Sequence, residues 1–287
     1  MACTPLHRWW RPLVGTLVLA CAYLVFQLVL ALPLTLALRR IMNLSAISVA
    51  LMMGLPATLL AAWWVQRRPI GSLSSVAGHL RRGWLLVCAG AAMSYLVVLL
   101  VTWAMMLDQN LVAPSGGEWV GWQRFLIPAV VLAVLVPLDA AAQEYVFRGW
   151  VLQAFGAYLR NPWPGIVISA ALFSLMHPAA RQSLSATAYY GLFGIVMGSL
   201  TIRTGGVEAG LALHTVHNLV LLVPAAAVGF VNTSTSGQAD WAAVPWLRLT
   251  VGQATALAVF AALILWLARR RGLATATATA TATGPQH

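Results

Sequence analysis

Eight runs of apolar residues, at 13–38, 46–65, 84–107, 125–159, 165–176, 186–202, 207–228 and 245–268, occupy most of the 287-residue chain and are bounded by Arg, Pro, Gly and Asn. A hydrocarbon core about 30 Å thick is crossed by roughly 20 apolar residues in a helix that rises about 1.5 Å per residue. Backbone polar groups find no partner in lipid, so each run is expected to close its own hydrogen bonds as an α-helix. The expected fold class is all-α, a polytopic transmembrane helical bundle of about eight spans. Composition excludes the soluble alternative. The chain is 61% hydrophobic and 8% charged, where an average soluble domain is about 25% charged.

The net charge of +11 comes from arginine without lysine. These arginines stand singly or in pairs at the ends of the apolar runs, where they anchor helices at anionic lipid. The partner they imply is the lipid bilayer, and no nucleic acid is expected. Placing both termini in the cytoplasm puts Arg8, Arg11, Arg67, Arg68, Arg81, Arg82, Arg160, Arg203 and Arg269–Arg271 inside and Arg39, Arg40, Arg124, Arg181 and Arg248 outside, with Arg39-Arg40 as the exception to the positive-inside bias. The expected location is the plasma (inner) membrane. His7, Arg8 and Arg11 ahead of an apolar run imitate a signal peptide, but that run continues through Leu38, so it is read as a retained first span. Cys3, Cys21 and Cys88 show neither paired nor CxxC spacing.

One bundle is expected over 1–273, with a disordered Ala/Thr-rich tail at 274–287. The connections at 108–124 and 229–244 contain Pro, Gly, Ser, Asn and Asp and read as aqueous loops. Gly194-xxx-Gly198 and Gly206-xxx-Gly210 place small residues one turn apart, which predicts tight packing of spans six and seven.

Ionisable groups inside such helices are costly and therefore informative. Glu144 lies in the longest apolar run, one helical turn before Arg148. Two readings stand open: a structural Glu–Arg clamp, or a reactive carboxylate. His177 closes Phe173-Ser174-Leu175-Met176-His177 in a run with no other ionisable group, and serves either as a helix–helix hydrogen bonder or as a reactive imidazole. In the seventh run His214 and Asn218 share a face, and His217 lies near it. An i, i+3 histidine pair can bind a metal only with a further ligand from another helix. One shared polar site is the economical explanation for a carboxylate, imidazoles and a carboxamide on three apolar helices.

These segments resemble the three motifs of the CPBP family of intramembrane proteases, which includes type 2 CAAX prenyl endopeptidases and bacteriocin-processing and immunity relatives. The family pattern Glu-Glu-xxx-Arg, Phe-xxx-His, His-xxx-Asn is matched in order by Gln143-Glu144-xxx-Arg148, Phe173-xxx-His177 and His214-xxx-Asn218. The resemblance places the catalytic core at about 125–228 and implies hydrolysis of peptide bonds in membrane-embedded or lipid-anchored substrates. By it, Glu144 and His177 would activate a water, and His214 and Asn218 would stabilise the oxyanion. Gln143, Arg148, Phe173 and His217 would support them. The family's first glutamate is Gln143 here, and a carboxamide takes up no proton at neutral pH.

The resemblance leaves the cofactor open. Glu144, His177 and His214 could hold a divalent ion such as zinc with water as the fourth ligand, and the same residues suit a metal-free mechanism. Two other functions compete: a non-catalytic scaffold or immunity-type binder, which Gln143 favours, and a proton-coupled transporter, for which no internal repeat is evident. Depth poses a further condition. Counting about 1.5 Å per residue puts Glu144 near the inner face, His177 about 18 Å in and His214 about 10 Å in. The three meet only if the run at 125–159 bends or tilts, or if the fifth span is displaced.

Overall fold

A computed structural model describes residues 8–42, 51–106, 118–181, 183–228, 246–273 and 275. The expected loop at 229–244, most of that at 108–124 and, apart from Thr275, the tail at 274–287 lie outside the described residues. The chain is a helical membrane bundle, and among the described residues no strand occurs. Helix α1 runs over 11–42, as Arg11–Phe26, a π-helical turn Gln27–Ala31, and Leu32–Met42. Then come α2 (Gly54–Trp64), α3 (Arg82–Met106) and α4 (Trp122–Gly156). The last four are α5 (Trp163–Leu175), α6 (Leu184–Thr204), α7 (Glu208–Ala227) and α8 (Trp246–Arg270).

Each expected run therefore coincides with a helix, but not every helix has the length of a span. Among the described residues six qualify by length and composition, namely α1, α3, α4, α6, α7 and α8. At 13 residues α5 reaches only about 20 Å. The described part of α2 has 11 residues, and the start of its predicted run, 46–50, lies outside the described residues. Apolar side chains such as Leu28, Val97, Val130 and Leu184 point outward. In water they would form a large exposed patch; here lipid is the solvent.

The largest buried cluster joins α3, α6, α7 and α8 through Tyr95, Leu99, Met197, Leu213 and Phe260. Helix α7 lies against α3 and α4, while α6 lies against α5 and α8. The glycine pairs do not pack α6 onto α7 as expected. A Cβ on Gly194 would stand 2.8 Å from the Ala170 backbone, and one on Gly198 would touch Ile166, so these two glycines seat α6 on α5. Gly206 and Gly210 instead make room for carboxylates, those of Glu208 and Glu144.

The segment between α2 and α3 docks on the turn between α6 and α7. Val76 N donates to Gly205 O at 2.8 Å and Val207 N to Ser74 O at 2.9 Å. Gly205 adopts φ +70°, the left-handed C-cap conformation that glycine accepts without strain. Buried Glu208 receives three hydrogen bonds from Arg81, through its backbone N (3.0 Å), Nε (2.9 Å) and a terminal nitrogen (2.7 Å). Glu208→Ala should lower bundle stability by about 1–3 kcal/mol in a detergent melt. A larger loss is not expected, because the stranded Arg81 keeps 12% side-chain exposure and can reach water.

On the loop after α2, buried Arg68 donates to Gln153 Oε1 at 2.6 Å and pins that loop to the end of α4. Burial pushes its guanidinium down from the ordinary arginine range to about 10.

Candidate functional site

Helix α4 carries the first motif at a break in its own geometry. Pro128 and Pro137 lie inside it, and regular α-helix gives way to a π-helical segment at Tyr145–Val151, directly after Glu144. Each proline deletes a backbone donor, and the π segment inserts an extra residue into the turn. The helix is thus irregular directly beside the carboxylate.

Glu144 has no exposed surface. Its Oε1 accepts a hydrogen bond from Arg148 at 3.0 Å and faces His214 Nδ1 at 3.2 Å. A carboxylate oxygen only accepts, so His214 Nδ1 is the donor in this contact. Glu144 Oε2 is buried without a hydrogen-bond partner, over the space that Gly210 leaves. Arg148 is wholly buried, donates weakly to Gly194 O at 3.4 Å and lies 4.7 Å from the Phe173 ring centre. One pair thus draws together α4, α5, α6 and α7.

His177 follows the end of α5. Its Nδ1 donates to Phe173 O at 2.9 Å, and its ring stacks on Tyr190 with centres 3.9 Å apart. Phe173 stands between the two imidazoles, 4.9 Å from His177 and 5.8 Å from His214. The Phe-xxx-His spacing therefore does more than set one face: the phenylalanine ring touches both histidines and also lies against the arginine.

His177, His214, His217 and Asn218 all line one cavity of about 40 Å³, together with Gln253 of α8. That volume admits a water, which needs about 10–15 Å³. His217 is anchored by Tyr95 of α3, whose hydroxyl lies 3.1 Å from Nδ1. Gln143 and Glu144 are not on the cavity wall. Gln143 Nε2 donates to Asp139 Oδ2 at 3.0 Å, one turn back along α4.

Among the described residues no group of three His, Cys, Asp or Glu side chains converges as metal ligands. Of the donor set Glu144, His177 and His214, Glu144 Oε1 is engaged by Arg148 and His214, while Oε2 has no hydrogen-bond partner.

Sequence reasoning missed Tyr95, Asp139, Tyr190 and Gln253. Asp139 and Gln253 carried a usable signal, an acid and a carboxamide inside apolar runs. The aromatic residues carried none, because tyrosine in a span is commonly core.

A family model described as type II CAAX prenyl endopeptidase Rce1-like matches residues 122–220, about a third of the chain. An uncharacterised protein of Bacillus subtilis, YyaK, is 27% identical over 173 residues, which are 58% of this chain. The matched region is 56% of YyaK, so the chain spans little more than half of that relative. No solved structure matches.

Proposed function

We propose that this integral membrane protein, similar over 122–220 to type II CAAX prenyl endopeptidases, is an intramembrane endopeptidase. Its substrates would be membrane-embedded or lipid-anchored peptides, and 125–228 its catalytic core. The observation that carries this reading is the cavity on which His177, His214 and Asn218 meet inside the bundle.

The roles follow from which atoms are free. Glu144 is not the direct base, because Arg148 and His214 share Oε1 and Glu144 does not line the cavity. It acts instead through His214, holding one tautomer and stabilising the imidazolium that forms, as a carboxylate does for histidine in hydrolytic triads. Water in the cavity gives a proton to His214 Nε2, while His177 Nε2 accepts its second hydrogen and aims the oxygen. The hydroxide adds to the scissile carbonyl carbon, and the Asn218 amide donates to the resulting oxyanion. When the C–N bond breaks, the proton on His214 passes to the leaving nitrogen. The termini are proposed to lie in the cytoplasm, with the arginine-rich loops.

His214→Ala in reconstituted vesicles should lower cleavage of a membrane peptide about 10²–10⁴-fold, and His177→Ala should act in the same direction. Equal cleavage by both variants and wild type would sink the reading. The pairing of Gln143 with Asp139 inside α4 favours a second one, a non-catalytic membrane binder. Its mark would be substrate retention without cleavage.

A further inference from the structure

Helix α8 lies wholly outside the segment matched by the endopeptidase family, yet it contributes to the wall of the site. Its contribution is Gln253, between Gly252 and Ala254, with 1% of its surface exposed. A carboxamide inside an apolar span is retained at a cost unless both its ends are bonded. Here the Oε1 atom has no hydrogen-bond partner, although the side chain borders the cavity shared by His177, His214, His217 and Asn218.

The groups on that wall are unequal in kind. His177 and His214 each have Nδ1 engaged, on Phe173 O and on Glu144, and in the proposed hydrolysis their Nε2 atoms hold the water. His217 has its Nδ1 on Tyr95. Asn218 supplies an amide donor for the carbonyl of the bound peptide. A peptide backbone alternates carbonyl and N–H, so a chain placed with its carbonyl at Asn218 presents an N–H that also needs a partner. Gln253 Oε1 is an acceptor that nothing else in the cavity occupies.

We infer that Gln253 is a substrate-positioning residue whose side-chain oxygen accepts a backbone N–H of the peptide next to the scissile bond. The inference rests on the endopeptidase reading and extends the site to a helix that neither the three motifs nor the family match includes. It also explains why a buried carboxamide with an unpartnered oxygen persists in α8: the missing partner is the substrate.

The test uses the full-length chain in vesicles, Gln253→Met, and a membrane peptide reporter prepared plain and with single backbone N-methyl groups near the cleavage point. Methionine keeps the length of the side chain and removes the acceptor. KM for the plain reporter should rise roughly three- to tenfold in the variant, with kcat little changed, as expected for one lost hydrogen bond. Thermal stability in detergent should hold or rise, because an unsatisfied buried oxygen has been removed. A purely structural glutamine would instead lower kcat and the melting temperature at constant KM. One N-methyl position should weaken wild type by the same factor and leave the variant unaffected, which assigns the contact to a particular N–H.

An unchanged KM in an active Gln253→Met protein, or a fall in kcat and melting temperature at constant KM, would overturn the inference and leave the endopeptidase reading intact. A wild-type chain that cleaves no reporter would overturn both.

Discussion

Glu144→Ala should abolish cleavage and also cost the bundle about 3–5 kcal/mol, the range measured when one member of a buried ion pair is deleted. Arg148 has no exposed surface, and its remaining polar contact is the 3.4 Å bond to Gly194 O. Without Glu144 it is a buried cation with an orphaned guanidinium in the lowest-dielectric part of the molecule. The two consequences can be separated. Replacing both residues, Glu144→Met with Arg148→Met, removes the stranded charge and should recover much of the stability. Cleavage should stay absent, because His214 Nδ1 then has no carboxylate to fix its tautomer. Melting curves in detergent read the first effect and reporter cleavage reads the second. A stable and active Glu144→Ala protein would remove both the clamp and its proposed catalytic use.

Gly210→Ala is the second large effect, and it arises from one methyl group. A Cβ at this position would collide with the Glu144 carboxylate, standing 3.0 Å from its Cδ and closer still to Oε2. The carboxylate cannot retreat along α4, since Arg148 and His214 hold its other oxygen. Overpacking of this kind costs about 1–3 kcal/mol. Cleavage should fall about 10²-fold, the usual penalty when a reacting group is displaced by about 1 Å. Gly90→Ala is the matched control. Its added methyl meets nothing within 4 Å, so it should be neutral or stabilising by about 0.5–1 kcal/mol through helix propensity. If Gly210→Ala behaves like Gly90→Ala, the close seating of α7 on Glu144 is wrong.

Gly210 also shows how far local pattern carries. As Gly206-xxx-Gly210 it reads as a helix-packing motif, and in α6 the equivalent pair does seat one helix on another. At the start of α7 Gly206, in the turn before the helix, and Gly210, in its first turn, face carboxylates instead. Spacing reports that something approaches closely; it does not report what. The same limit applies to Gln143. Sequence shows a carboxamide where the resembled family has glutamate, but only the folded α4 shows it bonded to Asp139 and off the cavity wall. Depth along the bilayer was misleading for a related reason. A uniform rise per residue keeps Glu144 and His214 apart, whereas α4 carries two prolines and a π-helical segment, and the two side chains meet at 3.2 Å.

The helical bundle itself was legible because the solvent enforces it: apolar runs in lipid have no outlet for backbone polarity except their own helix. The motif residues were legible because an ionisable side chain in such a run is expensive enough to be noticed. Run length overstated α5 as a span, since a 12-residue run carries apolarity without the reach to cross. The neighbours that equip the site, Tyr95, Tyr190 and Gln253, come from α3, α6 and α8, far from the motifs in sequence. Their relevance depends on how those helices are rotated about their axes, which is set by contacts such as Ala170 against Gly194. Sequence by itself determined the solvent, the fold class and which side chains were costly to keep. Tertiary packing alone decided which oxygen of Glu144 is occupied, which histidine nitrogen is free and which helix completes the wall. Hydrogen-bond partnership depends on ångström-scale distances between helices, and no periodicity within one helix encodes them.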